Sequence, residues 1–155
     1  MARRRRRLAK GPPTRLTIDL QRLWTLFGER YNRGMAQTPY ADQRVSSGQV
    51  FGYIKDEGST LTELAQHAGI SKQSMGELVD RLESAGYVER IANPRDRRAK
   101  LIRTTDKGER QIEASRRVTR AIEARWAGVL GKRRLHSFRA MLRRLAAVIA
   151  DDRSW

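Results

Sequence analysis

A chain of 155 residues fits one domain, or a compact unit that completes its core by pairing with a second copy. It carries 33 Lys and Arg against 17 Asp and Glu, a formal net charge of +16, and no cysteine. That excludes disulfides, thiolate metal sites and thiol redox sensing, and it favours a polyanionic partner, nucleic acid or an anionic surface, over solubilising charge alone. No window approaches the roughly 18 apolar residues that span a bilayer, and the arginine run lacks the apolar segment of a secretory signal. The chain reads as a soluble, cytoplasmic protein with no membrane partner.

Residues 1–13 read as a disordered basic arm, because Arg3, Arg4, Arg5, Arg6 and Arg7 repel one another and bury nothing before "GPP". Seven of the basic residues lie in residues 1–15 without an acid, leaving 26 against 17 on the remainder, which is still +9. Residues 14–45 hold the first helix. Leu16, Leu20, Leu23, Trp24, Phe27 and Tyr31 recur at three- and four-residue steps as one apolar stripe, and Pro39 limits it. A second helix is expected from Ser46 or Ser47 to Gly58, carrying Val50, Phe51 and Ile54.

Two helices then follow with almost nothing between them. Thr60 and Glu63 have the spacing of a capping box, and Gly69 is placed for a left-handed helix end. Ser71 caps a helix that ends at Gly86. Leu64, Ala65, Ala68, Ile70, Met75, Leu78, Val79 and Leu82 supply a small core. This spacing is that of a helix-turn-helix. "YVERIA" and "AKLIRT" alternate as strands around the turn signal Asn93-Pro94, giving a β-hairpin. In residues 105–155, Thr105 caps a long helix with Ile112, Thr119, Ile122, Trp126 and Val129 at helical spacing. Gly131 breaks it, and a last helix carries Leu135, Phe138, Met141, Leu142, Leu145, Val148 and Ile149. The expected fold is mainly α with a small β-hairpin wing, a winged helix-turn-helix at residues 46–104 flanked by terminal helices.

The run "LTELAQHAGISKQSMGELVDRLESAGYVERIANPRDRRAKLIRTTDKG" resembles the MarR family of bacterial transcriptional regulators. The likeness rests on the Leu82-Glu83 to Arg90 step that ends the recognition helix, the Asp96-x-Arg98 wing, and the helix start at Thr105 to Gly108. Thr104 departs from the leucine commoner there. The resemblance implies a homodimer held by its N- and C-terminal helices, binding pseudo-palindromic double-stranded operator DNA and often released by a small effector. It assigns Asp96 to bracing the loop or orienting a guanidinium, and Arg98 to the groove.

The residues themselves support a DNA-reading surface. On α-helical spacing Met75, Leu78, Val79 and Leu82 point one way, with Gln73 and Glu77 nearly opposite. Gln73 suits adenine and Glu77 suits cytosine N4. Lys72, Ser74 and Arg81 flank them, Lys72 and Ser74 suited to phosphates or a guanine edge, with the cap Ser71 part of the same DNA-binding helix; the nearby acids would oppose binding unless neutralised by Arg81 or matched to a base donor. At the hairpin tip Arg95, Arg97 and Arg98, around Asp96, offer guanidinium groups to a narrow minor groove or to phosphates. The alternative for both segments is a solvated charged face. The arginine arm either adds a groove contact or only raises nonspecific affinity. Trp24, Phe27 and Tyr31 are either core or the lining of an effector pocket. Glu63 and His67, four apart, lack further ligands, so no metal is expected, and nothing calls for a cofactor. No phosphate loop, carboxylate motif or nucleophile constellation suggests an enzyme. The rival function is nonspecific architectural binding of DNA or RNA, which the charge alone would serve equally well.

Overall fold

The computed structural model describes residues 12–96 and 98–151. The Arg3–Arg7 arm and Arg97 lie outside the described residues. Helix α1 (Pro12–Met35) starts inside the stretch expected as the arm; proline fits a first helical turn, where its missing N–H is no loss. A 3₁₀ turn at Val45–Ser47 leads into α2 (Gly48–Phe51), then β1 (Ser59–Thr60), α3 (Leu61–Ala68), α4 (Lys72–Ser84), β2 (Val88–Ala92), β3 (Lys100–Thr104), α5 (Asp106–Leu130) and α6 (Lys132–Asp151).

The helix expected to reach Gly58 is a single turn. After Gly52 the chain is held instead by Ser59, whose hydroxyl accepts from the Lys55 amide at 3.1 Å and donates to the Tyr53 carbonyl at 3.2 Å. That loop delivers β1, too short for its alternation to show in the sequence. β1 pairs antiparallel with β3 (Ser59 opposite Ile102), and β3 pairs with β2, so the sheet order is β1-β3-β2.

Both caps of α3 and α4 form as their residues dictate. The Thr60 hydroxyl accepts from the Glu63 amide at 3.2 Å, while the Glu63 carboxylate accepts from the Thr60 amide at 2.8 Å. Gly69 takes φ 66° and ψ 29°, which turns the chain from α3 into α4 within three residues. Leu64, Ala65, Met75, Leu78, Val79 and Leu82 close a core with Val50, Tyr87, Val88 and Ile102. A second cluster joins Tyr31 and Met35 of α1 to Ala114 and Ile122 of α5, with Phe27 and Trp126 packed against it.

The stripe on α1 is only half used. Tyr31 is buried, but Leu16, Leu20, Leu23 and Trp24 are exposed, and so are Met141, Leu142, Leu145, Val148 and Ile149 on α6. Val129 is the extreme at 82%. Within one chain α1 and α6 each have only α5 to lean on along most of their length, so the rest of each stripe faces water.

The two parts of the fold meet where α5 begins. Gly108 is buried under the Tyr87 carbonyl, and a Cβ there would sit against that oxygen and 2.6 Å from the Thr104 methyl. Helix propensity alone would favour alanine by about 0.8–1.0 kcal/mol; contact with backbone outweighs it. Gly108→Ala is therefore expected to destabilise the fold by roughly 1–3 kcal/mol, read as a fall in Tm of several degrees, and an unchanged Tm would show that α5 is not pressed onto β2 there.

Glu63 gives a pH-dependent test of the α3 cap. Its carboxyl is lowered from 4.5 to about 2, first by the Lys55 ammonium (2.8 Å) and then by the Thr60 amide and hydroxyl. A carboxyl depressed in the folded state contributes fully above its free value and loses that contribution as pH falls toward 2. The Lys55 pair is exposed, so the effect is small. Glu63→Gln should cost up to about 1 kcal/mol at neutral pH, the gap from the parent narrowing between pH 4.5 and 2. Parallel stability curves across that window would refute the assignment.

Candidate nucleic-acid interface

The most exposed polar helix face in the core module belongs to α4, about 20 Å long at 1.5 Å per residue. Met75, Leu78, Val79 and Leu82 fix its inner side in the core, which leaves Lys72, Gln73, Ser74, Glu77, Asp80, Arg81 and Ser84 facing out. Ser71 is in the expected place but its side chain is committed elsewhere. Its oxygen accepts from the Ser74 amide at 3.0 Å and its hydroxyl donates to Ser74 Oγ at 2.9 Å, so it is a cap first. Gln73 Nε2 lies 3.4 Å from Glu77 Oε1, linking the two residues expected to face bases.

Two of the three acids of α4, Asp80 and Glu83, are paired, but the cation that neutralises them is not Arg81; Glu77 meets only Gln73. Arg90, one turn of sheet away on β2, reaches Asp80 Oδ1 at 2.6 Å through Nη2 and pairs with Glu83 through Nη1. The Glu83 carboxylate also accepts from the Arg90 backbone amide at 3.1 Å. Burial opposes the guanidinium charge, and the two carboxylates more than offset it. Arg81 has no ion-pair partner among the described residues. Sequence reading missed Arg90 because it looked along α4 alone. The signal was Asp80 and Glu83 three apart on the helix, ahead of an arginine in the first strand.

In the wing, Asp96 braces the turn rather than a guanidinium: its carboxylate accepts from the Arg98 amide at 2.9 Å. Asn93 does the same for Arg95 at 2.9 Å. These side-chain turns hold Arg95 and Arg98 at an exposed tip beyond β2 and β3. Arg103 is different, since Glu89 across the hairpin binds it at 2.7 Å. Together, α4 and the wing form one surface whose free cations include Lys72, Arg81, Arg95, Arg98 and Lys100 among the described residues.

Trp24, Phe27 and Tyr31 do converge. They line a cavity of about 280 Å³ with Val45, Gln49, Tyr53, Ser115 and Thr119. Phe27 sits 5.9 Å from Trp24 and 6.1 Å from Tyr31 between ring centroids. The Tyr31 hydroxyl donates to Ser115 Oγ at 2.9 Å. Burial raises the Tyr31 pKa, and its bonds with Ser115 and Gln111 only partly offset this. The contributions of Ser115 and Thr119 from α5 could not be read from the α1 stripe. His67 stacks on Tyr53 at 5.6 Å, and Glu63 is tied to Thr60 and Lys55. Among the described residues no three His, Asp or Glu side chains converge on a metal position, and no helix is long and apolar enough to cross a membrane.

Comparison with known proteins places this architecture. Residues 45–99, from the 3₁₀ turn through the wing, match the family model described as the MarR family. Over 97 residues the chain is 32% identical to the HTH-type transcriptional regulator BilQ of Clostridioides difficile (strain CD3). That stretch is 61% of this chain and 60% of BilQ, so the chain spans less than two thirds of this relative. The fold extends further. CouR from Rhodococcus jostii RHA1, solved bound to p-coumaroyl-CoA, superposes with a TM-score of 0.74 at 24% identity, covering 93% of this chain and 97% of CouR. FabT from Streptococcus pneumoniae, solved in complex with DNA, gives 0.71 at 16% identity, covering 89% and 97%. Residues 45–99 thus match the module of the MarR family, and the winged helical fold around it is the one shared with CouR and FabT.

Proposed function

We propose that the protein is a homodimeric, cytoplasmic transcriptional repressor that reads a pseudo-palindromic duplex operator. The observation that carries this reading is the shared surface of α4 and the wing. It has a capped helix with its N-terminal turns exposed, Asp80 and Glu83 neutralised from behind by Arg90, and free guanidinium groups at a braced hairpin tip. A helix entering the major groove presents its first turns to base edges. Gln73 then pairs with adenine, Glu77 accepts from cytosine N4, and Lys72 and Ser74 take a guanine edge or a phosphate. Arg98 enters the minor groove and Arg95 takes a phosphate. Arg97 and the Arg3–Arg7 arm add charge to the same partner. FabT, a protein of the same fold, was solved in complex with DNA, which supports DNA as the partner.

The uncovered stripes of α1 and α6 support the homodimer. Each large aliphatic side chain taken from water contributes roughly 1.5–3 kcal/mol, and ten such residues are exposed on these two helices. A two-fold axis through that interface sets the two copies of α4 about 34 Å apart, one turn of duplex.

Footprinting on genomic DNA at about physiological salt tests the reading. The expected result is a protected two-fold site, with Arg98→Ala and Gln73→Ala each weakening it by about 1–3 kcal/mol and leaving random-duplex binding less affected by Gln73→Ala. Uniform retention without a footprint would instead mean an architectural binder.

The cavity of Trp24, Phe27 and Tyr31 is the effector site in this reading, supported by its aromatic walls and hydroxyl floor and by the ligand carried in CouR. Thr119→Phe, which fills it, should keep operator binding and abolish release by a panel of aromatic acids and esters that release the parent. Equal release of both, or no release by any, would place effector control elsewhere or remove it.

A further inference from the structure

A second concavity, about 630 Å³, is larger than the aromatic one. It lies between residues 42–47 and the C-terminal half of α4, and its walls include Arg44, Ser46, Arg81 and Ser84. Its charges are divided unevenly. Both carboxylates that line it are occupied: Asp80 by Arg90 at 2.6 Å, and Asp42 by the Tyr87 hydroxyl at 2.8 Å and the Gln43 amide at 2.9 Å. The two guanidinium groups have no carboxylate partner among the described residues. Arg44 Nη1 donates only to the Ala41 carbonyl at 2.8 Å, which tethers it at the rim, and Arg81 is free and exposed. Gln43 and Ser47 behind them are buried and bonded to each other at 2.9 Å, a rigid floor. The cleft therefore offers uncommitted donors and a local excess of positive charge.

From this we infer that the cleft is a phosphodiester site, in which Arg44 and Arg81 clamp the DNA backbone at the far wall of the groove that α4 enters. Position favours the duplex over a small anion. Arg81 lies eight residues beyond Gln73, about 12 Å along the helix axis, and the major groove is about 12 Å wide. With Gln73 at the base edges, Arg81 is at the distance of the bordering strand, and Arg44 meets it from the other side of the cleft. Arg44 is thus a DNA-positioning residue outside both α4 and the wing. The inference rests on the operator-binding reading above.

The test is fluorescence anisotropy of a labelled operator duplex and a labelled random duplex of equal length, each titrated across a range of KCl concentrations. Each protomer's clamp neutralises one phosphate, and each phosphate contributes about 0.9 to the slope of log affinity against log salt. The Arg44→Ala/Arg81→Ala protein should lose about two from that slope as a dimer. Its affinity should fall by roughly 10–100-fold near 0.1 M salt, equally for both duplexes, with Tm unchanged. Arg44→Lys should retain most of the parent slope, separating charge from fold. An unchanged slope in the double variant overturns the inference while leaving the regulator reading standing, and is the result expected if the cleft holds a small anion instead. A loss confined to the operator also overturns it, because Arg81 would then be reading bases. If the parent protein binds neither duplex, both readings fall.

Discussion

The position of Tyr87 decides how the helix-turn-helix and wing, the proposed DNA-reading module, are joined to the rest of the chain. Its ring is buried in the core between α4 and β2, with Tyr40 edge-on at 6.2 Å and the Lys107 ammonium 4.4 Å above it. Its carbonyl accepts from the Thr105 amide at 3.1 Å and lies over Gly108, fixing where α5 starts. Its hydroxyl, pushed up to about 12 by burial and by the Asp42 carboxylate, remains a donor at any physiological pH and holds the segment before the 3₁₀ turn. One residue thus registers α4, α5 and residues 40–47 against one another. Small displacements of α5 have to be accommodated here, because close-packed interiors shift between discrete arrangements rather than deform smoothly.

That arrangement also explains the charge distribution. A basic protein does not become a DNA reader by net charge, since +16 spread over a surface attracts any polyanion. What matters is which charges are already satisfied. Glu89 engages Arg103, Lys55 engages Glu63, and Arg90 is drawn inward to Asp80 and Glu83. Lys72, Arg81, Arg95 and Arg98, on or beside α4 and the wing, are among the described cations that keep no carboxylate partner. A surface pair is worth little to stability. Its larger effect here is to decide which cations stay available.

Much of this was legible in the sequence, for identifiable reasons. Caps and turns are local, so Thr60, Glu63, Gly69, Ser71, Thr105 and Asn93-Pro94 announce their geometry within three or four residues. The apolar spacing of α4 also named its exposed face. Contacts across the chain were not legible. The partner of Asp80 is ten residues away in a strand, Asp42 meets Tyr87 across 45 positions, and Ser115 meets Tyr31 across 84. Helix length misled where side-chain bonding replaced backbone bonding: Val50, Phe51 and Ile54 have helical spacing, yet Ser59 closes that stretch as a loop.

The exposed stripes of α1 and α6 mark the limit of what one chain can bury. Phe27 and Tyr31, at the C-terminal half of α1, have α5 beneath them, and the cavity forms beside that contact. Leu16, Leu20 and Leu23, one to three turns earlier, have none. A helix whose inner end packs within its own chain while its outer end awaits cover places the cavity next to the surface proposed for pairing. Trp24 belongs to both, lining the cavity while more than half exposed. A ligand against Trp24 would therefore act on the same side chain that a second copy would cover. In the proposed dimer, effector binding and the spacing of the two α4 helices are coupled through that ring and the helix that carries it.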